Sequence, residues 1–123
     1  MFQRLINKIR AGMFIAAAQG VTAGGLTAAG TTNADALQLA VDSDINVVTT
    51  AGAGSGVKLS APSGPGDEVA VFNRGANACL VYPQAGGQIN ALTATTAGFS
   101  VAAGGRAAFI SYDGTNWMAV LSA

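Results

Sequence analysis

A mainly β fold is predicted: a β-sandwich or jelly-roll-like barrel of about eight to ten short strands, preceded by an N-terminal amphipathic helix or extended arm. Three observations predict it. Short apolar runs recur along the chain with Gly, Pro, Asn and Asp between them, at a spacing of about ten residues. Several of those runs are β-branched or aromatic and alternate in side-chain character, as half-buried strands do. The stretch Gly66 to Trp117 gathers Phe72, Tyr82, Phe99, Phe109, Tyr112 and Trp117 around such turns. A β-helix is the main rival, but no repeat of fixed period is visible.

The first ten residues differ from the rest. Phe2, Leu5, Ile6 and Ile9 fall at i, i+3, i+4 and i+7, one apolar stripe of a helix, with Arg4, Lys8 and Arg10 largely off it. Gly12 is a natural stop. Docking onto a partner surface is the preferred reading. A membrane-surface helix and a signal peptide cleaved near Ala18 are the alternatives. No run approaches the roughly 20 apolar residues of a membrane span. Residues 11–33, low in charge and rich in Gly, Ala and Thr, read as an extended connector lying on a neighbour. The chain therefore divides into an arm with connector at 1–33 and a β body at 34–123.

The body opens with ADALQLAV, where Ala36, Gln38 and Ala40 alternate with Leu37, Leu39 and Val41. Asp42, Ser43 and Asp44 turn the chain, and INVVTTA is a β-branched strand. The loop AGAGSG follows, then Val57 and Leu59 flanking Lys58, then the break APSGPG. EVAVFN comes next, with Val69 and Val71 on one face and Ala70 and Phe72 making the other face apolar too. Asn73 to Asn77 joins it to ACLVYP as a hairpin by turn chemistry. Gln88, Ile89 and Asn90 form a short edge piece, followed by ALTATTA and FSVAA. In RAAFISY, Ala107, Phe109 and Ser111 face one way and Ala108, Ile110 and Tyr112 the other. Asp113 and Gly114 make the clearest tight turn, and NWMAVLS closes the chain with Trp117, Ala119 and Leu121 on one face.

Composition narrows the function classes. Charged residues are 10% of the 123, well below the usual quarter. Half the chain is apolar, yet much of that is Ala beside 17 Gly, so the core is thin and the surface calls for burial in an assembly. The net charge is zero, but after residue 10 three cations (Lys58, Arg74, Arg106) face six acids (Asp35, Asp42, Asp44, Asp67, Glu68, Asp113). A basic arm on an acidic body suits an acidic partner.

Histidine is absent and Cys79 is the single cysteine. The commonest general base and the usual zinc ligands are therefore missing, and Cys79, inside CLVY, reads as a small buried hydrophobe. No enzyme, cofactor or metal is expected. The loop Gly52 to Gly56 lacks the Lys-Ser/Thr pair of a P-loop and reads as a plain turn. Asp67 and Glu68 are adjacent on a strand and would diverge. Asp42 and Asp44 read as a solvated turn rather than a calcium site. Basic residues in the body are isolated, so nucleic acid is not an expected partner. Trp117, Tyr82 and Tyr112 read as core rather than as exposed binding platforms.

The run GDEVAVFNRGANACLVYPQAGGQIN at Gly66–Asn90, with SGVKLSAP before it and TNWMAV after, resembles a module of tailed-bacteriophage virion proteins. These are small head-decoration (cement) proteins and similar domains of fibre-type proteins. The similarity spans roughly Ala36 to Val120 and leaves the arm outside. It implies a homotrimeric, mainly β virion structural protein on the capsid exterior, made in the host cytoplasm, that binds the major capsid protein and stabilises contacts between capsomers. A fibre or tail-spike attachment module recognising a host receptor is the alternative. On this reading Phe2, Leu5, Ile6 and Ile9 are docking anchors, and Arg4, Lys8 and Arg10 meet acidic shell surface. Val69, Val71, Phe72, Leu80, Tyr82, Phe109 and Trp117 build the body.

Overall fold

The computed structural model describes residues 21–90 and 98–122, which form nine β-strands and no helix. They are β1 (Thr22–Thr27), β2 (Leu37–Gln38), β3 (Ile45–Thr50), β4 (Gly56–Lys58), β5 (Glu68–Asn73), β6 (Cys79–Tyr82), β7 (Phe99–Val101), β8 (Arg106–Ser111) and β9 (Trp117–Ser122). The expected N-terminal helix or arm, with Phe2, Arg4, Leu5, Ile6, Lys8, Ile9 and Arg10, lies outside the described residues, as does ALTATTA.

Two sheets share one core. Sheet A has five strands in the order β1-β3-β5-β8-β9, and sheet B has four in the order β2-β4-β6-β7. β1, β3 and β5 are mutually parallel in sheet A, and β2, β4 and β6 in sheet B. The chain thus alternates between the sheets and lays each new strand beside its predecessor in the same direction, making three stacked coils. The last three strands reverse direction: β7 runs antiparallel to β6, β8 to β5 and β9 to β8. The architecture is a two-sheet sandwich, and its connectivity is not the all-antiparallel order of a jelly roll.

Three expectations change accordingly. EVAVFN and ACLVYP do not form a hairpin; β5 belongs to sheet A and β6 to sheet B, so residues 74–78 carry the chain across the core. The Asn73 side chain makes that crossing. Its amide donates to the carbonyls of Asn77 (2.8 Å) and Val101 (2.9 Å), and its oxygen accepts the N–H of Gly75 (2.9 Å). Secondly, residues 22–27 are a strand rather than connector, paired along β3 with a bulge around Leu26. Sheet A thus begins before position 34. Thirdly, ADALQLAV contributes only the two residues of β2; Leu39 still donates its N–H to the Lys58 carbonyl (2.9 Å), and the chain then turns at Val41 and Asp42.

Within this sandwich, the parallel stacking of β1 to β6 is the one feature shared with a β-helix. The strands of sheet A start at residues 22, 45 and 68, but those of sheet B at 37, 56 and 79, so the loops drift while the coils stay in step.

Between the sheets lie Val48, Val57, Leu59, Val69, Val71, Cys79, Val81, Ile89, Val101, Ala107, Phe109 and Trp117, all buried in one cluster. Phe109 of sheet A meets Phe99 of sheet B edge-to-face, ring centres 5.6 Å apart at 84°. Burying a side chain such as Phe109 completely stabilises by about 2–3 kcal/mol, so a few large residues carry a core otherwise built of Val and Ala. Ile89 is no edge residue of the surface: it is fully buried and bridges to Trp117, while Asn90 accepts the N–H of Ala119 at 2.8 Å.

The acids that read as solvated or divergent have structural tasks. Asp44 is buried and its carboxylate accepts the N–H of Val21 at 2.9 Å, while the Val21 carbonyl accepts the N–H groups of Asp44 and Ile45, which fastens the start of β1 to β3. Asp67 is also buried and accepts the N–H of Ser63 at 3.0 Å, folding the Pro62 to Gly66 break back on itself.

Candidate interaction surface

Strand alternation sends Asn46, Val48, Val69, Val71, Ala107, Phe109 and Ser111 inward, so the opposite set must line the outer face of sheet A. That set is Ile45 and Val47 on β3, Glu68, Ala70 and Phe72 on β5, Arg106, Ala108 and Ile110 on β8, and Met118 and Val120 on β9. The pairing arranges it in rows. Glu68, Ile110 and Met118 lie side by side, then Ile45, Ala70, Ala108 and Val120, then Val47, Phe72 and Arg106. Met118 is 56% exposed and Val120 58%, so this is a broad apolar face open to its surroundings. A shallow depression of about 240 Å³ runs over Ala70, Phe72, Ala107, Ala108 and Val120 to Arg106.

At the Phe72 and Arg106 end the face passes into a wider open groove of about 580 Å³, lined by Phe72, Asn73, Arg74, Gly75, Gly104, Gly105 and Arg106. Two of the three cations of the body meet there, with no acid among the lining residues. Gly104 takes φ +80°, which a side chain would strain. Its N–H donates to the Asn73 carbonyl at 2.8 Å, and the N–H of Asn73 donates to Gly105 at 2.9 Å. The groove floor is therefore tied to the same asparagine that holds the crossing between the sheets.

The structure distributes the predicted body residues over different places. Val69, Val71, Phe109 and Trp117 are in the core, with the Trp117 indole N–H donating to the Gln84 side chain at 2.9 Å. Tyr82 is buried, but opposite to Val81, on the far side of sheet B. There its hydroxyl donates to the Thr31 carbonyl at 3.2 Å and its ring covers Gly56 and Gly98. Burial, then the nearby Asp35 and Cys79, holds its phenol above the ordinary range. Phe72 and Leu80 are half-buried on the outer faces of sheets A and B. Tyr112 departs from its expected core place: it is 58% exposed, because β8 ends at Ser111 and the tight turn lifts Tyr112 off the sheet. Leu121 is 57% exposed as well, since β9 is the edge strand of sheet A.

Cys79 is buried in the core and burial pushes its thiol up to about 11, so the neutral form persists at neutral pH. Asp113, in the β8–β9 turn, accepts the N–H groups of Asn116 and Thr115 and the Asn116 amide, and these bonds hold its carboxyl below the ordinary 3.8. Asp35 is lowered in the same way by the backbone and hydroxyl of Thr32 and the N–H of Thr31. Among the described residues no group of three or more Cys, Asp and Glu gathers as metal ligands would.

The outer face and the groove were not singled out by sequence reasoning as a surface. The signal was partly present, since Ala70, Phe72, Ala108 and Ile110 make β5 and β8 apolar on both faces. The meeting of Arg74 with Arg106, 32 positions apart, depends on β5 pairing with β8 and has no local signature. No protein-family model, curated protein or solved structure matches the chain.

Proposed function

We propose that this chain is a structural subunit of a tailed-bacteriophage virion, a head decoration (cement) protein. It binds the major capsid protein on the capsid exterior as a homotrimer and stabilises contacts between capsomers. One observation carries the reading: a charge-poor, two-sheet body leaves a broad apolar face, and ahead of it runs a segment with one apolar stripe and three cations. Such a body is completed by neighbours, and such a segment is suited to hold it against a larger acidic surface. The resemblance of Gly66–Asn90 to virion modules supports the same class. Three arms engaging sites of matching symmetry would gain avidity without any single strong contact.

Phe2, Leu5, Ile6 and Ile9 are the proposed anchors, with Arg4, Lys8 and Arg10 placed against acidic groups of the shell. The test is co-sedimentation of the full-length protein with undecorated heads of its phage, beside the variant Leu5→Asp/Ile9→Asp. The wild type pellets with heads and the variant stays in the supernatant. Wild-type protein that remains in the supernatant ends the cement reading, and a variant that pellets normally removes the arm from it.

A specific observation favours a second reading, the fibre-type attachment module. Stacked parallel coils such as those of β1 to β6 are an architecture that lengthens by adding coils, which suits an elongated appendage. Binding to host cells in place of heads would select it.

A further inference from the structure

We propose that the outer face of sheet A, across β3, β5, β8 and β9, is the surface through which copies of this chain associate with one another. The inference rests on the self-association contained in the reading above, and it replaces the three-fold count there by a two-fold contact of one face with its own copy.

The face is apolar in a continuous block rather than in scattered spots. Ile45, Val47, Ala70, Phe72, Ala108, Ile110, Met118 and Val120 occupy neighbouring positions in the ladder. Four strands about 4.8 Å apart and about 3.4 Å per residue over six residues give a projection on the order of 400 Å². That projection is about half of the roughly 800 Å² that each partner gives to a standard interface, which suits a contact of micromolar strength. At the centre sit Ala70 and Ala108, short enough to let a second sheet approach to the roughly 10 Å of face-to-face packing.

Charge identifies the occupant. Among the described residues the charges on this face are Glu68 and Arg106, at opposite ends of the adjacent strands β5 and β8, with Arg74 in the groove beyond the Arg106 end. Glu68 pairs with Ile110 and Arg106 with Phe72, so four residues, about 13 Å, separate them along the strands. They are too far apart to neutralise each other on one copy. A second copy of the same face offers an acid and a guanidinium in the same diagonal arrangement, so each charge can meet its opposite across the contact. A uniformly acidic or basic partner would meet as much repulsion as attraction. Self-complementarity of this kind is what a two-fold contact between identical subunits requires, whereas the three-fold ring of a homotrimer joins two different patches.

The sheet edges point the same way by their poverty. β2 and β7 have two and three residues, and β1 is bulged beside Gly24 and Gly25. β9 is met along part of its edge by Ile89 and Asn90. Edge-to-edge growth is blunted, and the face is left as the sticky surface.

The experiment is the mass of the full-length protein in solution by light scattering, at about 50 µM so that micromolar contacts are populated. Its variants are Val120→Glu, Met118→Glu, Glu68→Arg, Arg106→Glu and the double exchange Glu68→Arg/Arg106→Glu. Wild type is expected at a multiple of 12.1 kDa. Val120→Glu, Met118→Glu and each single charge reversal fall to one copy with Trp117 emission unchanged, and the double exchange recovers the multiple. A two-copy mass that the same variants dissolve supports the face and overturns the homotrimer. A wild type at one copy overturns the proposal, as do variants that keep the wild-type mass. So does dissociation by Leu5→Asp/Ile9→Asp alone, which would place the association in the arm. Head sedimentation is read separately, so loss of the shell contact and loss of the subunit contact are distinguishable.

Discussion

Replacing Asn73 by Ala tests whether the crossing between the sheets depends on one side chain. Asn73 is 1% exposed and its side chain makes three hydrogen bonds, two donated and one accepted, all to backbone groups. A hydrogen bond contributes about 1 kcal/mol net, and a buried partner left unsatisfied costs about 1–3 kcal/mol. The Val101 carbonyl is the partner whose bond is buried, while Asn77 and Gly75 lie nearer solvent. The sum is about 3 kcal/mol. With a urea slope of about 1.5 kcal/mol per molar, the midpoint should fall by about 2 M. Equilibrium urea unfolding at fixed protein concentration, followed by emission of the buried Trp117, reads it. Asn73→Asp keeps the acceptor for Gly75 but loses both donated bonds and brings a charge beside two carbonyls, so it should be at least as damaging. An Asn73→Ala midpoint within about 0.3 M of wild type would show that water or backbone adjustment replaces all three bonds, and the clamp argument would fall.

Gly56→Ala should destabilise by about 1–3 kcal/mol, because the new methyl would stand 2.5 Å from the Leu80 carbonyl oxygen and 2.8 Å from the Tyr82 ring; a wild-type thermal midpoint would contradict the packing of Tyr82 over β4. Cys79 should resist iodoacetamide at pH 8 in the native protein and react on unfolding. Its raised folded pKa means that its contribution is intact below the ordinary value of 9.0 and is lost as pH rises towards about 11, so alkaline unfolding should be shallower in Cys79→Ala. Asp113 has the opposite sign: its folded pKa is depressed, so its contribution is present above 3.8 and fades as pH falls through the folded value. Asp113→Ala should therefore lower stability at pH 7 and lose less than wild type on acidification, as measured by urea midpoints across pH 2 to 7.

What could be read in advance was governed by locality. INVVTTA became β3 residue for residue apart from its last alanine, and Ala107, Phe109 and Ser111 turned inward as their alternation required. The Asp113 and Gly114 turn closed β8 on β9, since an Asx turn and a glycine at φ +85° need only neighbours. Partner choice was not legible. Asn73 to Asn77 has the composition of a hairpin loop, yet β6 enters the other sheet, and the Asn73 amide donates there to Val101, 28 residues away, a partner that no local pattern announces. TAGGLT lacks the apolar weight of a strand and is one because β3 offers a free edge and Asp44 fixes its start. Of the interaction surface, the apolar positions of β5 and β8 were visible as strands without a polar side, whereas its extension over Met118 and Val120 and its diagonal charges required the register.

The reversal of direction after β6 has a consequence for synthesis. Coils one to three can be laid down in the order in which the ribosome delivers them, each on the one before. β5, though, keeps one side open until β8 arrives some 38 residues later, and β8 in turn is sealed only by β9. The nascent chain therefore spends its last stage as a stack with a hungry edge and without Phe109 and Trp117 to fill it. Termination one hairpin early would not yield a smaller version of this protein. It would release a template for the next chain to add to.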